Sequence, residues 1–361
     1  MSELKEEKIL KVVEVSGSHY EMGFQYGKAC PEISTILDLT CQLFGGNEKT
    51  KDIQDRYVPI YLPYLQNYAP EIMEEMKGMA DGADVNFHDI MLLNITYEIS
   101  VPSVMGGCTS FAAMGKATSG GGLISGQNID HIEPWLEHMI LLKMKPEDGP
   151  DVMAVTAPGC LTLAGINSAG ISINMNLLRN STSLEPAGGV PTHVILRKLF
   201  MSNTLGEVIA AIASAEGRCP KNYLLTSTSE GILDIETTTT DMDIQFPERE
   251  MLTHANYFKA ERFRSTDLAP SLVPDAYIRS NRLFRLMEEH YGDISVEVMK
   301  RLLQDHSNYP NSICRHRDAN APFPYARIMK TLISIINVPE EKKVYIAVGN
   351  PCKNEYIEYK M

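Results

Sequence analysis

The stretch Met105–Asp130, MGGCTSFAAMGKATSGGGLISGQNID, decides how the rest of the chain is read. Two glycines run directly into Cys108, and the residues after it, TSFAAM, have the texture of a strand. The run SGGG then supplies turn chemistry and LISGQNID returns, so the stretch predicts a β-hairpin. Pairing of its two arms brings Asn128 and Asp130 to the level of Cys108. Taken alone, GGC reads as an ordinary turn before a packed cysteine. The polar return strand, and the position of Cys108 on the seam between a helical and a sheet-rich segment, favour a reactive one.

A cysteine at such a junction gains chemistry once the peptide bond before it is cut. A free α-amino group has a reference pKa of about 7.7 to 8.0, so it serves as a base near neutral pH. Thiol and general base then belong to one residue, with the amine taking the proton and later passing it to the leaving group. The thiol can make the cut itself by attacking the Gly107 carbonyl, through a thioester that water hydrolyses. Gly106 and Gly107 lack a Cβ and tolerate the close approach and unusual torsions of that attack.

Working outward, the segment from Ser18 to about Ser100 is helical in pattern. Met22, Tyr26, Ile33, Ile36 and Leu37 fall close to a 3.6-residue period, and YVPIYLPYLQNYAPEIMEEMKGMADGA and NFHDIMLLNITYEIS suggest further helices. After Cys108 the texture changes to strands: HMILLKMK, DVMAVTA, LTLAGIN and GISINMNLL, separated by turn residues. Helical stretches (PTHVILRKLFMSNTLGEVIAAIASA, AYIRSNRLFRLMEEHY, SVEVMKRLLQDH) alternate with further strands, and the chain closes on TLISIINV and KVYIAVGNP. Strands, helices and strands again predict an α+β fold with an antiparallel sheet system covered by helices, not a doubly wound βαβ fold. The division is 1–107, mainly helical, and 108–361, the sheet-rich core.

Composition narrows the partners. The 361 residues are 44% hydrophobic and 22% charged, as in ordinary globular proteins, and the formal net charge of −13 argues against nucleic acid or an anionic membrane surface. The charged start MSELKEEKILKVVEV lacks the apolar run of a secretory signal, and no window reads as a transmembrane helix. A cytoplasmic location is expected. The seven cysteines are scattered without paired CxxC spacing, which suits reduced thiols better than disulfides or a zinc site.

Other features have plainer readings. Gly23 and Gly27 permit close helix packing, and Gly120–Gly122, with no lysine and no following helix, form a turn rather than a phosphate loop. His131, His138, His254 and His316 show no HExxH-like spacing, so no metal is expected. Asn222 reads as a local cap or turn. Asn174 and Asn176 alternate on one face of ISINMNLL, where they line a polar pocket or hydrogen-bond within the sheets.

The ordered set GCTS…GQNID, GINSAGISINMNLL, HANYF, NYPNSICRHRD and TLISIINVPEEKKVYIAVGNPC, with YEMGFQYG near the N-terminus, resembles the acyl-coenzyme A:isopenicillin N acyltransferase family of self-processing N-terminal nucleophile hydrolases. The resemblance implies an αββα sandwich of two antiparallel sheets between helical layers. It also implies scission before Cys108, with the small chain staying bound to the large one. It makes Cys108 the nucleophile, Asp130 a support for the amine and the cleavage, and Asn256 the side-chain oxyanion donor. Arg327 in YARIMKT is the nearest counterpart of the family's arginine, with Arg317 competing. Asn128, His131, Asn174 and Asn176 complete the expected substrate contacts.

The expected function is therefore a cysteine amidohydrolase or acyltransferase acting on small N-acyl or aminoacyl amides through an acyl-thioester. No cofactor is expected, and coenzyme A thioesters enter only as substrates. The alternative from another class is a non-catalytic small-molecule-binding protein with the same fold.

Overall fold

The computed structural model describes residues 5–99, 107–182, 188–321 and 324–361. Fourteen strands are named among them, in two sheets. The first sheet contains β1 (Lys11–Gly17), β4 (Ile140–Pro146), β5 (Val152–Thr156), β6 (Ala164–Asn167), β7 (Ile171–Leu177), β8 (Lys221–Ser227), β9 (Gly231–Thr237) and β10 (Met242–Gln245), in the spatial order β1-β4-β5-β6-β7-β8-β9-β10. The second contains β2 (Gly107–Gly115), β3 (Gly121–Ile132), β11 (Met251–His254), β12 (Met329–Val338), β13 (Lys343–Val348) and β14 (Ile357–Lys360), in the order β11-β2-β3-β12-β13-β14.

The second sheet is antiparallel throughout, but the first is mixed, which corrects the expectation of two antiparallel sheets. β1 runs parallel to β4, from Lys11 opposite Ile140 to Gly17 opposite Pro146. Parallel neighbours need a long crossover, and here the connection is the helical segment and the β2–β3 hairpin together. The N-terminal segment thus contributes an edge strand as well as helices.

Its helices are α1 (His19–Ala29), α2 (Ile33–Leu43), α3 (Asn47–Tyr68), α4 (Pro70–Ala83), α5 (Phe87–Asn94) and the short α6 (Thr96–Ile99). With α7 (Thr192–Leu199) and α8 (Leu205–Ser214) they cover the first sheet. Ser18 caps α1 in a capping box with Glu21, fixing the turn out of β1. Gly23 and Gly27 of α1 face Gly78 and Gly82 of α4 so closely that a Cβ on Gly23 would lie 1.8 Å from the Glu75 carbonyl oxygen, and one on Gly78 2.1 Å from that of Tyr20. Only glycine lets the two backbones meet this way, as the sequence predicted. Met22, Tyr26 and Ile72 of these helices share one apolar core with Val155, Ile166 and Ile195. The divisions 1–107 and 108–361 are therefore halves of a single core.

The outer face of the second sheet is covered by α10 (Asp275–Glu289) and α11 (Val296–Leu302), with Leu283, Met287 and Met299 packed on Phe111 and Ile336. Two four-residue helices, α9 (Ala269–Leu272) and α12 (Pro324–Arg327), lie in the connections. The layers run helix, sheet, sheet, helix. Among the described residues, no helix is long and apolar enough to cross a membrane.

Between the sheets, strand alternation sets the position of the site. Ala112 joins Leu123, Leu224 and Leu252 in an apolar cluster at one end. In the middle the contacts are polar: Ser110 donates to Asn176 (2.6 Å), Ser172 is hydrogen-bonded to Thr226 (2.6 Å), and Asn337 donates to Asn174 (3.3 Å). Buried side chains of this kind are tolerated when they hydrogen-bond one another, as these do. Two residues before Ser110, on the same face of β2, comes Cys108.

Candidate active site

The hairpin forms in the expected register, with Gly107 opposite Asp130, Cys108 opposite Ile129 and Thr109 opposite Asn128. Gly120 and Gly121 at its tip have φ of +95° and +79°, which glycine adopts without strain. Cys108 is buried at 8% exposure and borders a cavity of about 20 Å³ with Tyr97, Ile129, His131, Leu163, Met175 and Leu177. That is the space of roughly one water. A larger hollow of about 620 Å³ lies away from Cys108, lined by residues such as Leu37, Thr50 and Asp89 of the N-terminal helices, and holds none of the predicted site residues.

A continuous polar chain surrounds the Cys108 backbone. Its N–H donates to Asn256 Oδ1 (2.9 Å), and Arg279 Nη2 donates to the same oxygen (3.0 Å). Arg279 Nη1 donates to Cys108 O (2.6 Å) and Thr109 Oγ1 (2.7 Å), while its Nε donates to Asp275 Oδ2 (2.8 Å). Asp275 also accepts from Arg315 Nη2, and Arg315 Nε donates to Asp130 Oδ2 (3.2 Å). Thr331 closes the chain, donating to Asp130 Oδ1 (2.7 Å) and accepting from the Arg315 backbone N–H (2.9 Å). Thr331 sits beside a register shift in β12, a local re-aiming of the strand that is common next to functional sites.

The electrostatics follow from burial and these partners. Burial, with the Asp130 charge adding to it, pushes the Cys108 thiol up to about 12; the Asp130 backbone N–H, Arg279 and Arg315 offset only part of the rise. Burial pushes Asp130 up to about 6, against the pull of Arg315, Arg279 and the Thr331 hydroxyl. Asp275 is largely buried, but its two arginine partners outweigh burial and hold it below the ordinary carboxylate range. At neutral pH the thiol is therefore protonated, and Asp130 is an ionised carboxylate more basic than usual.

The structure brings Gly107, Cys108, Asp130 and Asn256 together; Gly106 lies outside the described residues. The orientation of Asn256 differs from expectation. Cys108 N–H and the guanidinium can only donate, so its oxygen must face them, and its Nδ2 donates to Leu177 O (3.0 Å). The amide presents an acceptor, not an oxyanion donor, to Cys108.

Arg327 is corrected: it is exposed, and its Nε donates to Ala321 O (2.8 Å). Arg317 pairs with Glu133 (3.1 Å). The guanidiniums at the site are Arg279 and Arg315. Asn128 is corrected as well: it shares with Asp130 the face of β3 away from the Cys108 side chain, but its amide is spent on Leu303 O (2.9 Å) and Ile313 O (2.8 Å) and does not reach the site. Asn174 and Asn176 are held in the hydrogen bonds between the sheets and do not line the cavity. His131 does line it, tilted against Trp135 with ring centroids 4.8 Å apart, and burial pushes it down to about 4, so it is neutral. Asn222 lies in β8 rather than a turn, and its amide donates to Asp234.

The family profile described as acyl-coenzyme A:6-aminopenicillanic acid acyl-transferase matches residues 117–353. The chain belongs to this family. The matched residues include Asp130, Asn256, Arg279 and Arg315 and begin just after the strand that carries Cys108. The chain is similar to the acyl-coenzyme A:6-aminopenicillanic-acid-acyltransferase 40 kDa form of Emericella nidulans, 26% identical over 309 residues that cover 84% of each chain. It is similar to the beta-alanyl-dopamine/carcinine hydrolase of Drosophila melanogaster at 22% identity over 237 residues, 56% of this chain and 57% of that one. Among solved structures, a mutant conjugated bile acid hydrolase from Clostridium perfringens matches with a TM-score of 0.46 and 14% identity, covering 70% of this chain and 97% of that one.

Within this family member, two side-chain groups have the donor types of a metal site. Asp234, Glu236 and His254 converge in the core. Glu236 is engaged within the fold: His254 Nε2 lies 2.7 Å from it, and it also accepts from the backbone N–H groups of Lys259 (2.6 Å) and Ala260 (2.9 Å), while Asp234 accepts from the Asn222 amide. These bonds fix the turn that carries Asn256. The second group is His306, Cys314, His316 and Cys352, on either side of Arg315 in the chain.

Proposed function

We propose that this chain severs itself between Gly107 and Cys108, and that Cys108 then acts as the nucleophile of an amidohydrolase or acyltransferase for small N-acyl or aminoacyl amides. The observation that carries the reading is the set of bonds around one backbone unit: the Cys108 N–H on Asn256, the Cys108 carbonyl on Arg279, and Asp130 with Arg315 beside Gly107.

In the first reaction the Cys108 sulfur attacks the Gly107 carbonyl carbon and the thiol proton is relayed through water to Asp130, whose carboxylate lies beside Gly107 on the other face of the hairpin. The Gly107–Cys108 C–N bond breaks as the nitrogen takes a proton, which leaves a thioester and a free amine. Water then hydrolyses the thioester, giving the Gly107 carboxylate and restoring the thiol. Asn256 Oδ1, already bonded to the Cys108 nitrogen, goes on to orient the new amine. In turnover the amine accepts the thiol proton as sulfur attacks the substrate carbonyl and returns it to the departing amine. Water or a second amine takes the acyl group. Arg279 and Arg315 supply positive charge to the anionic intermediates.

The small chain stays attached in this reading because β1 remains hydrogen-bonded along β4 and α1–α5 remain in the shared core. The small hollow at Cys108 leaves room for an acyl group only after the Gly107 end has withdrawn. The family relatives bear names of acyltransferases and amide hydrolases, which supports small amides as the substrate class.

The test is intact-mass analysis of purified protein beside Cys108→Ala. Two fragments, the larger beginning at Cys108, and an uncut, inactive but folded alanine variant are expected. A panel of N-acyl amides and acyl thioesters, with and without amine acceptors, then separates hydrolysis from transfer. A single full-length species inert to thiol probes would overturn the reading.

A further inference from the structure

The loop between α11 and β12 gathers three residues that the proposed reaction does not use, and the turn after β13 adds a fourth. His306, Cys314 and His316 meet Cys352 with all four donor atoms within 4.8 Å of one another. The Cys314 and Cys352 sulfurs are 3.6 Å apart, His316 Nε2 lies 3.7 Å from one and 3.5 Å from the other, and the two histidine Nε2 atoms are 3.1 Å apart.

These four separations are close to the edges of a tetrahedron. With zinc–sulfur bonds of about 2.3 Å and zinc–nitrogen bonds of about 2.05 Å, tetrahedral edges are about 3.8 Å for S–S, 3.6 Å for S–N and 3.3 Å for N–N. We propose that His306, Cys314, His316 and Cys352 form a structural zinc site with S₂N₂ ligation. Two thiolates and two imidazoles in this arrangement select zinc over the harder divalent cations. Binding releases the two thiol protons to solvent and leaves a neutral centre, Zn²⁺ balanced by two thiolates.

The surroundings are those of a held site. Asn350 Nδ2 donates toward Cys314 Sγ (3.5 Å) and to Arg315 O (2.7 Å). The Cys314 N–H donates to Asp305 O (3.1 Å) and the His316 N–H to Pro310 O (2.9 Å), so the loop is folded to aim its side chains inward. His306 is exposed and offers a way in for the ion. Arg315 sits between two of the ligands, so the ion would also fix the backbone that points Arg315 at Asp130 and Asp275.

The site stands whether or not the chain severs itself, and its test does not use activity. Full-length protein purified from zinc-supplemented culture and dialysed against metal-free buffer is assayed by elemental mass spectrometry. About one zinc per chain is expected in the wild type, and less than about a fifth of that in Cys352→Ser and in His316→Ala. Cobalt added to the metal-stripped wild type should give the intense visible bands of tetrahedral coordination together with sulfur-to-metal charge transfer. A wild type that takes up neither ion under reducing conditions would overturn the proposal. So would full zinc content in Cys352→Ser, or a Cys314–Cys352 disulfide in the protein as purified under reducing conditions.

Discussion

Asp130 offers the sharpest test of the proposed scission, because its position makes a quantitative demand. Burial raises it to about 6, so its ionised fraction falls from about 0.91 at pH 7 to about 0.09 at pH 5, whereas an ordinary aspartate at about 3.9 stays more than about 0.9 ionised over that range. If the carboxylate receives the thiol proton, scission should slow about ten-fold between pH 7 and pH 5. In Asp130→Asn the acceptor is lost while Thr331 keeps an oxygen to bond; the rate at pH 7 should drop by about 10² or more and the limb between pH 5 and 7 should vanish. The assay follows pulse-labelled precursor from cell-free synthesis, moved into buffers across this range and resolved by gel. A wild-type rate flat from pH 5 to 7, or an asparagine variant within about two-fold of the parent, would refute the assignment of Asp130 as proton acceptor.

Two further substitutions separate the arginines. Arg279→Lys keeps a charge but loses the forked donors that reach Cys108, Thr109 and Asn256; a urea titration of the uncut Cys108→Ala background should show about 3 kcal/mol of destabilisation, and the otherwise wild-type variant should show slowed scission. Arg327→Ala, by contrast, should shift stability by less than about 0.5 kcal/mol and leave scission unchanged, as read by the same titration and gel. Gly107→Ala places a Cβ 2.9 Å from Asp130 Oδ2 and 3.1 Å from Arg315 Nε, both buried and pinned, so scission should slow even though alanine is a small residue; equal rates of cleavage would show that the glycine is there for another reason.

The hairpin was legible because its signals are local: alternation on both arms, and glycines where the turn needs positive φ. β1 was not, because Lys11–Gly17 presents only Val13 and Val15 to the core and its partner β4 lies more than a hundred residues on. Asn128 shows the limit of level alone, since it shares a face of β3 with Asp130 but meets the carbonyls of Leu303 and Ile313 instead of the site. Arg279 left a trace that could have been used. It occupies the apolar stripe of α10 with Ala276, Leu283 and Met287, and a charged residue on that stripe demands a buried partner. Arg315 stood in the quoted NYPNSICRHRD, two residues from Arg317, and a loop carries no periodicity to choose between them. The four residues around Cys314 are spread from 306 to 352, so no short spacing pattern could have joined them.

The polar chain from Asp130 to Asn256 also decides what the liberated amine would be. It holds two guanidiniums and two carboxylates, buried except for the partly exposed Asp275, and so is already neutral in sum. Scission adds one more ionisable group where Arg279 already touches the Cys108 carbonyl. A protonated amine there is a third cation: burial and Arg279 disfavour it, and Asp130, already engaged by Arg315 and Thr331, offsets only part of that cost. The amine should therefore titrate below its ordinary value of about 7.7 to 8.0. Since the neutral amine is the base, kcat/KM should rise with pH through that lowered pKa and be level above it. An acidic limb centred above about 8 would mean that the arginines do not press on the amine, and that the chain of charges serves the fold alone.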